Sequence, residues 1–155
     1  MPIGIRNHFR LNNPIIVVNS IVGVPLVLPV TIGKNQFVKM RYWLPLQVGA
    51  TGGIRINQVV ATVSGPGIGI TAVRHIGYLY NSVTGIVTIG NGGGGFPFGF
   101  TNALANSGIH SLIIESDYKN GSTSEFTIDL TVAQNTVDAL SMNCMEGASI
   151  EVVKL

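Results

Sequence analysis

Strict alternation of apolar and polar residues is the feature that most constrains how this chain can fold. In residues 126–132 the alternation runs without a slip. A period of two places successive side chains on opposite faces of a strand, with one face toward a core. Runs rich in valine, isoleucine, threonine and aromatics recur along the chain. They predict strands over residues 15–18, 26–31, 37–45, 54–63, 70–79, 86–89, 111–117, 124–133, 141–144 and 149–154.

Glycine- and asparagine-rich segments separate these runs. Asn120-Gly121, within residues 119–122, predicts a tight hairpin, because Asn-Gly readily adopts positive φ angles. Residues 101–108 carry the one set of helix signals and predict a single turn. Many short strands without crossover helices favour an all-β, antiparallel sandwich or barrel.

The chain divides at about residue 35. Its 155 residues suffice for one ordinary domain. Residues 1–35 are apolar, proline-rich and weakly patterned, and they predict an extended N-terminal arm that packs on this domain or on a neighbour. Residues 36–155 predict the β-sandwich domain.

Charged residues are scarce, at 10% of the chain against 46% hydrophobic residues. Globular proteins average about 25% charged residues, so part of this surface is expected to be covered. Pro14, Pro25 and Pro29 interrupt the most apolar stretch, which argues against a membrane partner. We predict that other protein subunits cover this part of the surface.

The lone cysteine, Cys144, is predicted to be a small buried hydrophobe.

The charges are unevenly distributed. Residues 1–114 hold seven basic residues and no acidic one, whereas all seven acidic residues follow from Glu115 onward. The two segments either interleave in the sheets and cancel, or form a basic and an acidic face that steer docking. The net charge of +2 predicts no nucleic-acid partner.

Residue patterns for catalysis are weak. The glycine run 90–95 matches a dinucleotide-binding string, but the residues after it do not begin a helix, so an exposed loop is expected. The histidines, His8, His75 and His110, lack metal-ligand spacing. Glu115 and Asp117 share a strand face as solvent-exposed carboxylates. We therefore predict no catalytic residue, no metal ligand and no cofactor, and a protein that is not an enzyme.

Aromatic clusters suggest binding surfaces instead. Phe96, Phe98 and Phe100 beside the glycine run are either core packing or a recognition patch. Arg41 and Trp43, with Tyr42, Tyr78 and Tyr80, could bind sugar or single-stranded nucleic acid, or could be core aromatics with polar tips.

Three patches resemble a small β domain of tailed-bacteriophage virion proteins. They are residues 37–45 with 49–54, residues 102–108, and residues 133–138 with 146–152, so the similarity extends over roughly residues 36–155 in patches. The resemblance implies a jelly-roll sandwich similar to the tumour necrosis factor fold, assembled as a homotrimer. It implies a head decoration protein, a head fibre or a tail-fibre tip, on the surface of the virion, with no catalytic residues to carry over.

Within that family, a chain with an apolar arm and no fibre shaft favours a capsid decoration (cement) protein. The arm would bind the major capsid protein or another virion protein by strand addition and burial. The predicted arm contacts are Ile15, Ile16, Val17, Val18, Leu26 and Leu28. The alternative is a receptor-binding tip of a tail or head fibre that contacts a host surface glycan through residues 96–100 or through Trp43 and the tyrosines.

Overall fold

The computed structural model describes residues 5–17, 24–25, 29–48, 54–64, 70–92, 103–104, 109–121, 123–134 and 142–155. These residues form an all-β structure in which no described segment is helical, so none offers a helix able to cross a membrane. The strands are β1 (Ile5–Arg10), β2 (Ile15–Val17), β3 (Val24–Pro25), β4 (Val30–Ile32), β5 (Phe37–Val48), β6 (Ile54–Ser64), β7 (Ile70–Tyr80), β8 (Val87–Gly92), β9 (Ala103–Leu104), β10 (Ile109–Asn120), β11 (Phe126–Gln134), β12 (Met142–Cys144) and β13 (Ser149–Lys154).

The strands form two antiparallel sheets, which confirms the predicted fold class. The large sheet has the order β1-β13-β5-β10-β7-β8, and β12 lies between β5 and β2. The small sheet has the order β3-β11-β6-β9, and β4 also pairs with β11. The centre of the large sheet is the pair β5 and β10, which stay in register from Phe37 opposite Lys119 to Gln47 opposite Ile109.

One face of the large sheet is the core. Alternate residues of β10 are buried from His110 to Asn120, as expected for a strand with one face covered. The buried apolar residues of the large sheet are Val38, Met40, Tyr42, Leu44, Leu46, Leu79, Leu112, Ile114, Tyr118, Cys144, Ile150 and Val152. Burial of Cys144 confirms its predicted place in the core.

The small sheet approaches this buried face at the end of β10. Val30 and Ile32 of β4 are buried. Asn120, fully buried, donates from Nδ2 to the carbonyl oxygen of Ile32 at 3.2 Å. On the opposite edge of β4, Lys154 Nζ donates to the Thr31 carbonyl oxygen at 2.9 Å. These bonds tie strands of the large sheet to the small sheet.

A glycine turn sets the direction of the last strand. Gly147 has a φ of 88°, in the left-handed region that favours glycine. A Cβ there would lie 3.1 Å from Nη2 of Arg10. The Gly147 N–H donates to the Leu11 carbonyl oxygen at 3.0 Å, and the Leu11 N–H donates to the Ala148 carbonyl oxygen at 2.7 Å. The turn therefore aligns β13 with β1.

Two local predictions were wrong. The hairpin expected at residues 119–122 is absent, because β10 and β11 belong to different sheets and the connection crosses between them. The buried side chain of Asn120 bonds to backbone carbonyls there instead of standing in a two-residue turn. The helical turn expected at residues 101–108 is replaced at Ala103–Leu104 by β9, which pairs with the start of β6.

The arm predicted for residues 1–35 contributes strands to both sheets of its own chain. β1 pairs with β13, β2 with β12, and β4 with β11. The division of the chain at residue 35 stays a prediction, and strands from both sides of it share the same sheets.

Candidate interaction face

The outer face of the large sheet carries the side chains that point away from the core. Registers across five strands place Ser149, Trp43, Ile113, Tyr78 and Ile89 in one transverse row. Trp43 is 58% exposed and Ile89 is 62% exposed. Large apolar residues are usually buried, so a row of them across an open face distinguishes this surface from an ordinary strand exterior.

The next row on the same face is charged. Arg41 of β5 lies opposite Glu115 of β10 on one side and Glu151 of β13 on the other. Arg41 Nη2 is 3.3 Å from Glu115 Oε1. Both side chains contact solvent, so the pair contributes only about 0.2–1 kcal/mol, and it serves chiefly to orient the two groups.

A further row places Lys39 opposite Asp117, so basic and acidic residues alternate along the face. The basic segment and the acidic segment of the sequence therefore interleave here. The sequence allowed either interleaved charges that cancel or separate basic and acidic faces. On this face the basic and acidic residues are interleaved.

A groove runs between the aromatic and charged rows. Its wider part, of about 380 Å³, is lined by Arg41, Trp43, Ile113, Ser149 and Glu151. A smaller part, of about 170 Å³, shares Arg41 and Glu151 with it and is also lined by Lys39, Met40, Glu115, Asp117 and Val153. One side of the groove is thus aromatic and apolar, and the other side offers charged hydrogen-bonding groups.

The edge of the sheet beyond β10 carries a second surface, which we call the apolar hairpin surface. It comprises exposed side chains of β7, β8, the turn between them and the start of β10. They are Tyr80, Val83, Ile86, Val87, Ile89 and Ile109. The chain segment 80–89 contains no charged residue. An uncharged, apolar sheet edge is a surface that proteins ordinarily cover or protect with charge.

Hydrogen bonds hold the turn of the apolar hairpin surface. Asn81 Oδ1 accepts from the N–H groups of Val83 at 2.9 Å and Thr84 at 3.2 Å. Gly85, with a φ of 71°, donates its N–H to the Asn81 carbonyl oxygen at 2.9 Å. Asparagine bonding to backbone two and three residues ahead is a standard way to fix such a turn. Val83 and Ile86 are therefore displayed on an ordered loop.

A buried histidine supports the same turn from within the fold. His110 is fully buried, and its Nδ1 accepts the N–H of Ser82 at 3.1 Å. Because Nδ1 accepts, it carries no proton in this arrangement. His110 thus has a structural contact to the turn.

The buried titratable groups of the large sheet are not poised for chemistry. Burial raises the pKa of the Cys144 thiol to about 12, so almost no thiolate forms at neutral pH. Burial also raises the pKa of Tyr118 well above its usual range, opposed by a hydrogen bond with Ser116. In the part of the chain that the structure describes, no cluster of three or more His, Cys, Asp or Glu side chains could hold a metal ion.

The structure describes only part of the binding set predicted from sequence. Ile15, Ile16 and Val17 form β2, and Ile16 is 55% exposed. Val18, Leu26, Leu28, Phe96, Phe98 and Phe100 lie outside the described residues. Those contacts stay predictions. Of the aromatics noted in the sequence, Tyr42 is buried, whereas Trp43 and Tyr80 are exposed on the outer face.

Sequence reasoning missed the apolar hairpin surface. The sequence predicted a strand at residues 86–89, but it did not predict that the side chains of this strand would be exposed to solvent. The signal in the sequence was Ile86-Val87-Thr88-Ile89, which is apolar on both faces, directly after the turn residues Asn81 and Gly85. A strand that is apolar on both faces is expected either to be buried or to await a partner.

The described residues thus define an all-β, antiparallel structure whose large sheet exposes aromatic, apolar and charged side chains on its outer face. No protein-family model matches the chain, and no curated protein matches it. Among solved structures, it is similar to the tripod from the baseplate of bacteriophage Tuc2009, with 12% identity and a TM-score of 0.39 over 91% of this chain. The infectious bursal disease virus VP2 subviral particle gives 10% identity and a TM-score of 0.25 over 97% of this chain. The chain spans 63% of the tripod chain and 40% of the VP2 chain.

Proposed function

We propose that this protein is a non-enzymatic structural component of a bacteriophage virion, a homotrimer that decorates the head surface. The observation that carries the proposal is the apolar hairpin surface, with Ile89 62% exposed at an uncharged sheet edge. Exposed apolar patches of this kind mark sites of protein association. The proposal that the particle is a bacteriophage virion is based on the resemblance of three sequence segments to virion β domains.

The physical mechanism is burial of the apolar hairpin surface between copies of the chain. Full burial of a large apolar side chain stabilises an assembly by about 1.5–3 kcal/mol, and the apolar hairpin surface contains several such side chains. The turn is already fixed by Asn81 and His110. Association therefore costs little ordering of the loop.

Composition favours a second copy as the occupant of this surface. An uncharged apolar patch needs a partner patch that is equally uncharged, because an unpaired charge buried against it would be costly. The chain's own segment 80–89 meets this requirement, and only 10% of the chain's residues are charged. Obligate interfaces of this apolar kind typically bury about 2,000 Å² or more.

The jelly-roll connectivity and the capsid contact belong to the same proposal. Two antiparallel sheets are what a jelly roll requires. The contact with the major capsid protein is assigned to the arm, residues 1–35, where the exposed Ile16 offers an apolar anchor beside the sheet. Ile16→Asp tests this contact. Truncation of the whole arm would be a poor test, because it would also remove β1, which pairs with β13 in the large sheet.

Localisation on the particle tests the proposal directly. Particles of the phage that encodes the chain are imaged by electron microscopy after labelling with antibody raised against the purified protein. Label distributed over the head, and lost in the Ile16→Asp variant, is the expected result. Label confined to a tail or fibre tip would support the receptor-binding alternative, and unlabelled particles would contradict a virion role.

A further inference from the structure

We propose that the groove beside Trp43 is a binding site for a saccharide whose bound ring is uncharged. The site lies on strands β13, β5 and β10 and is lined by Arg41, Trp43, Ile113, Ser149 and Glu151. This inference goes beyond the structural role proposed above and does not depend on it.

The groove has the size and composition of a small-ligand site. Its wider part measures about 380 Å³, within the roughly 300–1,000 Å³ of ordinary ligand pockets. Trp43 is 58% exposed and presents its indole to this space beside the apolar side chain of Ile113. A flat aromatic surface suits the C–H-rich face of a sugar ring, because the face of the indole is electron-rich.

The polar groups of the groove match hydroxyl groups. Arg41 donates hydrogen bonds, carboxylates such as Glu151 accept them, and the Ser149 hydroxyl does either. Across β5 and β13, Ser149 lies opposite Trp43, and Glu151 lies opposite Arg41 in the neighbouring row. A sugar ring that stacks on the indole thus meets donors and acceptors around its edge.

The charge of the groove separates a saccharide from a nucleic acid. Lys39 and Arg41 lie among Glu115, Asp117 and Glu151, so carboxylates outnumber cations along the two parts of the groove. A phosphate backbone requires a clear excess of positive charge. An uncharged polyhydroxyl ligand is compatible with this mixture of charges, which contains no excess of cations.

The groove and the apolar hairpin surface occupy different parts of the face. Trp43 is on β5 and Ile89 is on β8, three strand spacings apart, which is about 14 Å. Copies that associate through the hairpin therefore leave the β13–β5 side of the sheet available to a ligand.

Trp43 is the chain's only tryptophan, so its fluorescence reports on this groove alone. The full-length protein is first screened on a glycan array, and each glycan that binds is then titrated while tryptophan emission is followed. We expect a saturable change of emission with at least one uncharged oligosaccharide. Single-stranded oligothymidine should give no saturable change.

Two variants make the test specific, with affinities measured by calorimetry. Trp43→Ala should weaken binding by about tenfold or more, the loss typical of removing an aromatic stacking partner. Phe9→Ser, an aromatic change at a residue of β1 that is 45% exposed and outside the groove, should leave the affinity within about twofold of the unaltered protein, since surface changes away from the site have small effects.

Several results would overturn the saccharide site. One is the absence of binding to every glycan on the array. Another is binding restricted to polyanionic glycans and retained by Trp43→Ala. A third is dissociation of the oligomer by Trp43→Ala, which would identify the groove as a contact between copies. Absence of glycan binding would also count against the fibre-tip alternative, whereas antibody labelling of the head tests the decoration role, so the two proposals fail separately.

Discussion

The side-chain amide of Asn120 donates from Nδ2 to the carbonyl oxygen of Gly33 at 3.0 Å, joining the end of β10 to the residue that follows β4. The same nitrogen also contacts the carbonyl oxygens of Ile32 at 3.2 Å and Ser124 at 2.8 Å. One buried amide thus connects the large sheet, the small sheet and the crossing between β10 and β11. Buried polar groups in such a position are costly to remove, because their partners stay desolvated.

Asn120→Ala is therefore expected to destabilise the protein by about 2–3 kcal/mol, since buried carbonyl groups lose their donor. Asn120→Asp should cost more, because it places a carboxylate against carbonyl oxygens. Denaturant unfolding followed by circular dichroism gives the free energy of unfolding. The control is Asn13→Ala, at an exposed site between β1 and β2, which should change it by no more than about 0.5 kcal/mol. Equal effects of Asn13→Ala and Asn120→Ala would refute this role.

The contact between His110 and the turn predicts a local change in amide exchange. His110→Phe keeps an aromatic ring in the core but removes the acceptor for the Ser82 N–H. Hydrogen exchange of the Ser82 amide should accelerate by about tenfold, the effect of losing one modest hydrogen bond. Exchange measured by NMR resolves this amide from its neighbours.

Asn81→Ala provides the reciprocal variant. It removes the acceptor for the Val83 and Thr84 amides while leaving the imidazole in place. Exchange should then accelerate at Val83 and Thr84 more than at Ser82. If both variants accelerated all three amides equally, the turn would open as one unit and the separate supports described above would be wrong.

Cys144 predicts how stability changes at alkaline pH. A thiol exposed to water, as in the unfolded chain, has a pKa of 9.0, and burial raises the pKa of Cys144 to about 12 in the folded protein. A raised folded-state pKa gives a contribution that is complete below pH 9 and is lost as the pH rises toward 12. Between these values, the unaltered protein should lose about 1.4 kcal/mol more per pH unit than Cys144→Val.

The measurement is denaturant unfolding of both proteins across that pH range. Comparing the two cancels most titration by other groups, including the tyrosines. Parallel stability curves would show that Cys144 is not buried as described. Alkylation provides a second test of the burial of Cys144. The thiol should resist alkylation in the native protein at neutral pH and react when the protein is unfolded.

Alternation predicted the centre of the large sheet well and its edge poorly. The strands at residues 37–45, 111–117 and 149–154 were found because one face of each is buried, which leaves a period of two in the sequence. β1 was missed, since Ile5–Arg10 is rich in polar residues and gains its structure by pairing with β13. Edge strands commonly carry such charged and polar residues, so their patterns are weak.

Long-range geometry explains what else the sequence could not predict. The turn signal at Asn120-Gly121 was real, but a turn signal does not state which sheet the next strand joins. Trp43 was recognised as a binding candidate, yet its groove depends on Ser149 and Ile113 from strands distant in the chain. Exposure of Val87 and Ile89 likewise depends on which strands lie beside β8.

Sedimentation equilibrium of the purified chain shows whether copies of the protein cover the apolar hairpin surface. We expect a species of three times the 16.4 kDa chain mass at micromolar concentration. Ile89→Lys should shift it to monomer, and Leu155→Lys, at a residue with a similar 59% exposure, should leave it assembled. A monomer in the unaltered protein, or assembly unaffected by Ile89→Lys, would contradict the account.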